Sequence, residues 1–79
     1  MKIPRNLTGI QLVKLLDVLG YRVTRQTGSH IRVTTTQNGT HNVTIPAHNL
    51  LKTGTLSAIL SDIAAHFGIS KDELLIRLM

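Results

Sequence analysis

The run Arg25-Gln26-Thr27-Gly28-Ser29-His30-Ile31-Arg32 sets an imidazole after a Gly-Ser corner and between two guanidinium groups. Imidazole has an unperturbed pKa of about 6.5, so near neutral pH it passes protons in either direction. Positive neighbours favour the neutral form of such a ring, the form a general base needs. Arg22, Arg25 and Arg32 are suited to hold a phosphodiester and to stabilise charge as it builds on phosphorus. The backbone amides of Gly28 and Ser29 add a small concavity for an anion. Proton transfer beside a gripped phosphate is therefore one reading of His30. A plain phosphate contact is the other, and the commoner role for a surface histidine in a basic patch. Spacing does not separate them.

The remaining histidines are His41, His48 and His66. None has the HExxH spacing of a zinc site, and the segment from Gln26 to His48 contains no carboxylate. His41 and His48 can meet across the corner after the last strand, but two imidazoles without a third ligand make a weak site. No metal and no cofactor is expected. His66 falls in the last turn of a helix, where a cation complements the dipole. His41 shares the phase of Val43 and Ile45 and is expected to pack or cap. His48 is a candidate general acid only if the loop after Pro46 folds back over the sheet edge.

Elements that position these groups follow from periodicity. Thr8-Gly9-Ile10-Gln11 has the form of a capping box, and Leu12, Val13, Leu15, Leu16 and Leu19 follow at helical spacing. A helix over Thr8 to Leu19 is predicted, with Gly20 as its left-handed stop. The period then changes to two: Tyr21 and Val23, Ile31 and Val33, Val43 and Ile45 alternate with polar residues. Thr27-Gly28-Ser29 and Gln37-Asn38-Gly39 separate the runs, and Asn-Gly is a strong hairpin signal. Three antiparallel strands in a meander are predicted, the third ended by Pro46. Leu56, Ile59, Leu60, Ile63 and Phe67 form the stripe of a second helix closed by Gly68. Ser70-Lys71-Asp72-Glu73 opens a short third helix as a second capping box.

The predicted fold class is α+β, in the order α-β-β-β-α plus a terminal helix, with the helices on one face of the sheet. That face takes Tyr21, Val23, Ile31, Val33, Val43 and Ile45. The other face carries Arg22, Thr24, His30, Arg32, Thr34, Asn42 and Thr44, with no acid among them. Any antiparallel sheet covered on one side has a polar outer face. An ordinary solvated face mixes both charge signs, however, and this one does not.

Composition sets the outer bounds. The chain of 79 residues is read as one domain over 1–79, with little margin of stability. It has no cysteine, so neither a disulfide framework nor a thiolate metal site is open to it. No run approaches the ~20 apolar residues of a membrane span, and MKIPRNLTG lacks the apolar core of a secretory signal. A soluble cytoplasmic protein is expected. Net charge is +5, and the excess lies wholly in the first two-thirds. There Lys2, Arg5, Lys14, Arg22, Arg25, Arg32 and Lys52 face Asp17 alone. Such asymmetry suits a polyanion, and attracts an acidic protein by the same field.

Taken in order, Arg25-Gln26-Thr27-Gly28-Ser29-His30, Val43-Thr44-Ile45-Pro46-Ala47-His48 and Gly54-Thr55-Leu56, opening a helix that ends in Ile69-Ser70, resemble the HicA toxin family over nearly the whole chain. The resemblance implies a fold like the double-stranded-RNA-binding domain and the toxin role of a type II toxin-antitoxin module. It further implies cleavage of mRNA, with inhibition of translation, and a HicB antitoxin that blocks the active site. The family's catalytic histidine falls on His30. Arg22, Arg25, Gly28, Ser29, Arg32 and His48 are then the expected RNA contacts. Many relatives carry an aromatic in the strand after Gly-Ser-His, where this chain has Ile31 and Val33. Tyr21 and Phe67 are its only aromatics, so RNA contact is expected to rest on phosphates and 2′-hydroxyls rather than on stacked bases. A metal-independent endoribonuclease is the leading reading. A non-catalytic RNA-binding module on the same basic face is the alternative.

Overall fold

Thr8 opens the first helix with both halves of its capping box: Gln11 N donates to Thr8 Oγ1 at 3.1 Å, and Thr8 N donates to Gln11 Oε1 at 2.9 Å. The computed structural model describes residues 6–47 and 50–79. Within them run α1 (Gly9–Leu16), which tightens into a 3-10 turn at Asp17–Leu19, then β1 (Arg22–Thr27), β2 (His30–Thr35) and β3 (His41–Pro46). Next come α2 (Thr53–Phe67) and α3 (Lys71–Leu78). The strands form one antiparallel sheet in the order β1-β2-β3, as the meander reading required. Asn38 and Gly39 both take positive φ (56° and 96°), the conformation for which Asn-Gly is suited. The second capping box forms only by half. Ser70 Oγ accepts from Glu73 N at 3.1 Å, while the Glu73 carboxylate engages Arg77 one turn on.

The core lies between the helices and the inner sheet face. Leu12 and Leu16 of α1, Val33 and Ile45 of the sheet, Leu56, Leu60 and Ile63 of α2, and Leu74 of α3 are all essentially sealed from water. Burial of this kind contributes about 25 cal/mol per Å² of apolar area and is the main term opposing chain entropy. α1 and α2 make their sheet contacts chiefly with β3. Gly9, at the start of α1, sits directly on the backbone of Pro46 and Ala47.

That placement leaves β1 bare and corrects one expectation. Val23 is 52% exposed rather than in the core, although it pairs with buried Val33 and so lies on the inner side. No residue of β1 is buried. The physical reason is width: two helices resting over β3 and the centre of the sheet do not extend across its far edge.

A second departure is a β-bulge. Val23 pairs with Val33, but the next partnered residue is Arg25, opposite Arg32. Thr24 is the extra residue. Its hydroxyl meets Thr34 Oγ1 at 2.9 Å, and Thr34 Oγ1 in turn donates to Asn42 Oδ1 at 2.6 Å. The extra residue turns the second half of β1 over. Arg25 and Thr27 come to the outer face with Arg32 and His30, and Gln26 pairs with Ile31 on the inner side.

The far end of the sheet is closed by rings. The buried Tyr21 hydroxyl shares a hydrogen bond of 2.7 Å with His41 Nδ1, and His41 Nε2 lies 3.4 Å from Asp62 Oδ2. The His41 and His66 rings stack at 4.4 Å, and His66 Nε2 donates to the Gln37 carbonyl at 2.9 Å. Two of the four histidines thus tie the β2–β3 hairpin to α2. Burial, followed by the nearby Asp62 charge, pushes the Tyr21 hydroxyl from 10.0 up to about 12. A raised tyrosine pKa contributes stability that is complete below pH 10 and is lost as pH climbs toward 12. The thermal midpoint should fall through that window, and fall less in Tyr21→Phe. An equal fall in both proteins refutes this account.

Candidate nucleic-acid interface

The β1–β2 turn is the two-residue corner Gly28-Ser29, with Thr27 paired to His30 across it. Gly28 takes φ 56°, which a two-residue hairpin favours at its first position. Ser29 carries the corner to β3, its carbonyl accepting from Ala47 N at 2.5 Å. The pairing Thr27↔His30↔Pro46 and the next row, Arg25↔Arg32↔Thr44, then set five side chains round one depression on the outer face. Arg25, Thr27, His30, Arg32 and Thr44 line it, and its volume is about 150 Å³. That is room for a phosphate group with part of a ribose, not for a folded ligand.

Its electrostatics are one-sided. No acid lines the depression. Among the described residues, neither Arg25 nor Arg32 has an ion-pair partner, so both guanidinium forks are available to an anion. His30 is exposed at the mouth. Arg22 lies apart. It is ion-paired with Asp17 at 2.6 Å, across toward the end of α1, and does not line the depression. Gly28 and Ser29 stand beside the site as the corner that places His30, without lining it. His48 lies outside the described residues.

Thr27 and Arg25 owe their place to the bulge. Unbroken alternation from Tyr21 sends both toward the helices, whereas the structure gives them to the outer face. A signal for this exists in the hairpin itself. A two-residue Gly28-Ser29 turn forces Thr27 opposite His30, and counting back from that pair puts Arg25 beside Arg32.

Among the described residues no group of three His, Cys, Asp or Glu side chains is placed to hold a metal, and no helix is long and apolar enough to cross a membrane. What remains is a small cationic α+β protein that leaves one sheet face open and gathers guanidinium, imidazole and hydroxyl groups there around an anion-sized hollow. A family model described as HicA toxin of bacterial toxin-antitoxin matches residues 9–64, and the chain belongs to this family. It is thus the toxin of a toxin-antitoxin module, a role that implies an antitoxin partner. No match emerges from comparison with curated proteins or with solved structures.

Proposed function

We propose that the chain is a metal-independent endoribonuclease that cleaves mRNA at the depression around His30, and that a HicB-like antitoxin restrains it in the cytoplasm. The observation that supports this reading is the convergence of His30, Arg25 and Arg32 on one acid-free hollow. A phosphodiester seated between the two guanidinium groups has its negative oxygens paired, and the adjoining ribose lies toward the imidazole. His30 then takes the proton from the 2′-hydroxyl. The O2′–P bond forms, the P–O5′ bond breaks, and charge building on phosphorus is met by Arg25 and Arg32. The imidazolium, or water, returns a proton to O5′. The products are a 2′,3′-cyclic phosphate and a 5′-hydroxyl.

Thr27 and Thr44 supply hydroxyls to the same hollow, suited to further phosphate or 2′-hydroxyl contacts. No base-stacking platform accompanies them, since Tyr21 is buried and Phe67 packs against the core. Sequence preference at this site is accordingly weak and binding is salt-sensitive.

The test is an RNA cleavage assay in excess chelator with both product ends identified. Undiminished cleavage to cyclic phosphate and 5′-hydroxyl ends is expected. Ends bearing 3′-hydroxyl and 5′-phosphate, or activity abolished by the chelator, eliminate the mechanism. Arg25→Ala and Arg32→Ala should each weaken RNA binding and lower the salt slope by about one phosphate contact. Arg22→Ala should do so less, because Arg22 is held by Asp17. One observation favours the binding-only reading: no second proton-transferring side chain lines the depression among the described residues.

A further inference from the structure

Every residue of β1 is exposed, and among the described residues β1 pairs only with β2, so none of them covers the strand's other edge. A free edge carries unpaired backbone donors and acceptors along its length. Between that edge and α1 runs an open groove of about 370 Å³, lined by Val13, Lys14, Asp17, Tyr21, Arg22 and Val23. The groove has an apolar part, in which Val23 is 52% exposed. Its rim is charged, but Asp17 is already neutralised by Arg22 at 2.6 Å. Lys14 on one wall and Arg25 farther along the strand have no ion-pair partner among the described residues.

We infer that the β1 edge and this groove are the docking site for an extended, acidic segment of the antitoxin, which joins the sheet as a fourth strand and seats an apolar side chain on Val13 and Val23. An extended chain is the occupant that satisfies backbone groups at an edge. Acidity follows from the rim. It also follows from what the edge excludes: a second copy of this chain brings a net charge of +5 and its own Arg22 and Arg25 against the same residues. Edge arginines together with the bulge at Thr24 are devices that discourage indiscriminate strand pairing. An acidic strand turns the charge term from repulsion to attraction. Because β1 also carries Arg25, such a strand lies at the border of the depression and engages one of its two guanidinium groups.

This inference goes beyond the ribonuclease reading and stands on family membership, so it is tested without RNA in the His30→Ala chain. Binding of the antitoxin encoded beside this chain is measured by calorimetry for Val23 and for Val23→Glu. The exposed site tolerates glutamate, and affinity should fall by about tenfold or more with the melting curve of the free chain retained. Affinity should also fall steeply between about 50 and 500 mM salt. Unchanged affinity in either experiment overturns the inference. Should Val23→Glu not fold, amide hydrogen exchange of the unsubstituted complex decides. Slowing over 22–27 supports the site, whereas protection confined to 30–35 and 41–46 overturns it. So does a free chain that dimerises with β1 protected.

Discussion

On the proposed mechanism His30→Ala should lower RNA cleavage by about 10²- to 10⁴-fold, the usual worth of a general base, and should lift any growth inhibition seen on expressing the parent chain. RNA affinity should change little, because Arg25 and Arg32 stay in place on the outer face. Stability should also be nearly unchanged. His30 is exposed, and among the described residues none of the hydrogen bonds that close the fold uses its ring, so truncation is expected to stay within about 0.5 kcal/mol. The three readouts separate the competing roles of this imidazole. Catalysis predicts loss of cleavage with binding kept. A phosphate contact predicts that binding and cleavage fall together, by a similar and modest factor. A binding-only module predicts no cleavage from either protein. If the variant cleaves as fast as the parent, the imidazole is not the base and the mechanism fails, whatever happens to affinity.

How far the site was readable from sequence depends on which end of β1 one counts from. Counting forward from buried Tyr21 gives Val23 inward and Arg22 outward, which agrees with the pairing of Val23 to Val33. The same count carried on sends Arg25 and Thr27 inward, which is wrong. Counting back from the Gly28-Ser29 turn puts both outward, which is right. The two counts disagree by one residue, and a strand resolves such a conflict only by holding an extra one. Thr24 is that residue, yet no glycine or other local signal marks it. The conflict itself was legible; the position of the bulge was not. Arg22 stands apart from the depression for a related reason. Its strand phase was correct, but the carboxylate that engages it belongs to Asp17, the residue that caps the end of α1, and sequence alternation says nothing about where a helix end lies relative to a strand.

Helix ends and strand runs were more legible because their signals are local. Both halves of the Thr8–Gln11 box and the Asn38-Gly39 corner formed as their residue types dictate. Coverage of the sheet was not legible. Val23 has the residue type and the phase of a core position, and it is bare because the helical layer rests over β3. That is a property of how two layers of unequal width are stacked, and no window of sequence contains it. The same offset has a functional side. It leaves one sheet edge clear of the helices, so that the proposed antitoxin edge and the proposed RNA face meet at Arg25.

Gly9→Ala should be among the most damaging single-methyl changes in the chain. In the first turn of a helix, alanine ordinarily helps, by up to about 1 kcal/mol over glycine. Here the added Cβ runs into the Pro46 carbonyl oxygen, with the Pro46 carbonyl carbon at 2.8 Å and Ala47 Cα at 3.2 Å. All three atoms are backbone, so no side chain can swing aside. Either α1 lifts from β3, uncovering Leu12 and Leu16, or the end of β3 is pushed back. Overpacking of this kind costs about 1–3 kcal/mol and sometimes more, which outweighs the helix gain. For a chain of this size each 1 kcal/mol moves the thermal midpoint by about 4–8 °C, so a drop of roughly 10 °C is expected. Gly54→Ala is the control. It lies in the first turn of α2 with nothing within 4 Å of the new Cβ, and it should leave the midpoint unchanged or raise it slightly. Pro46 is also the cross-strand neighbour of His30, so the displaced corner should carry the site with it. Cleavage by Gly9→Ala should therefore fall even below its melting temperature, where the variant is still folded. A Gly9→Ala protein as stable and as active as the parent would show that α1 does not clamp the end of β3, and that the corner holding His30 is set by the hairpin alone.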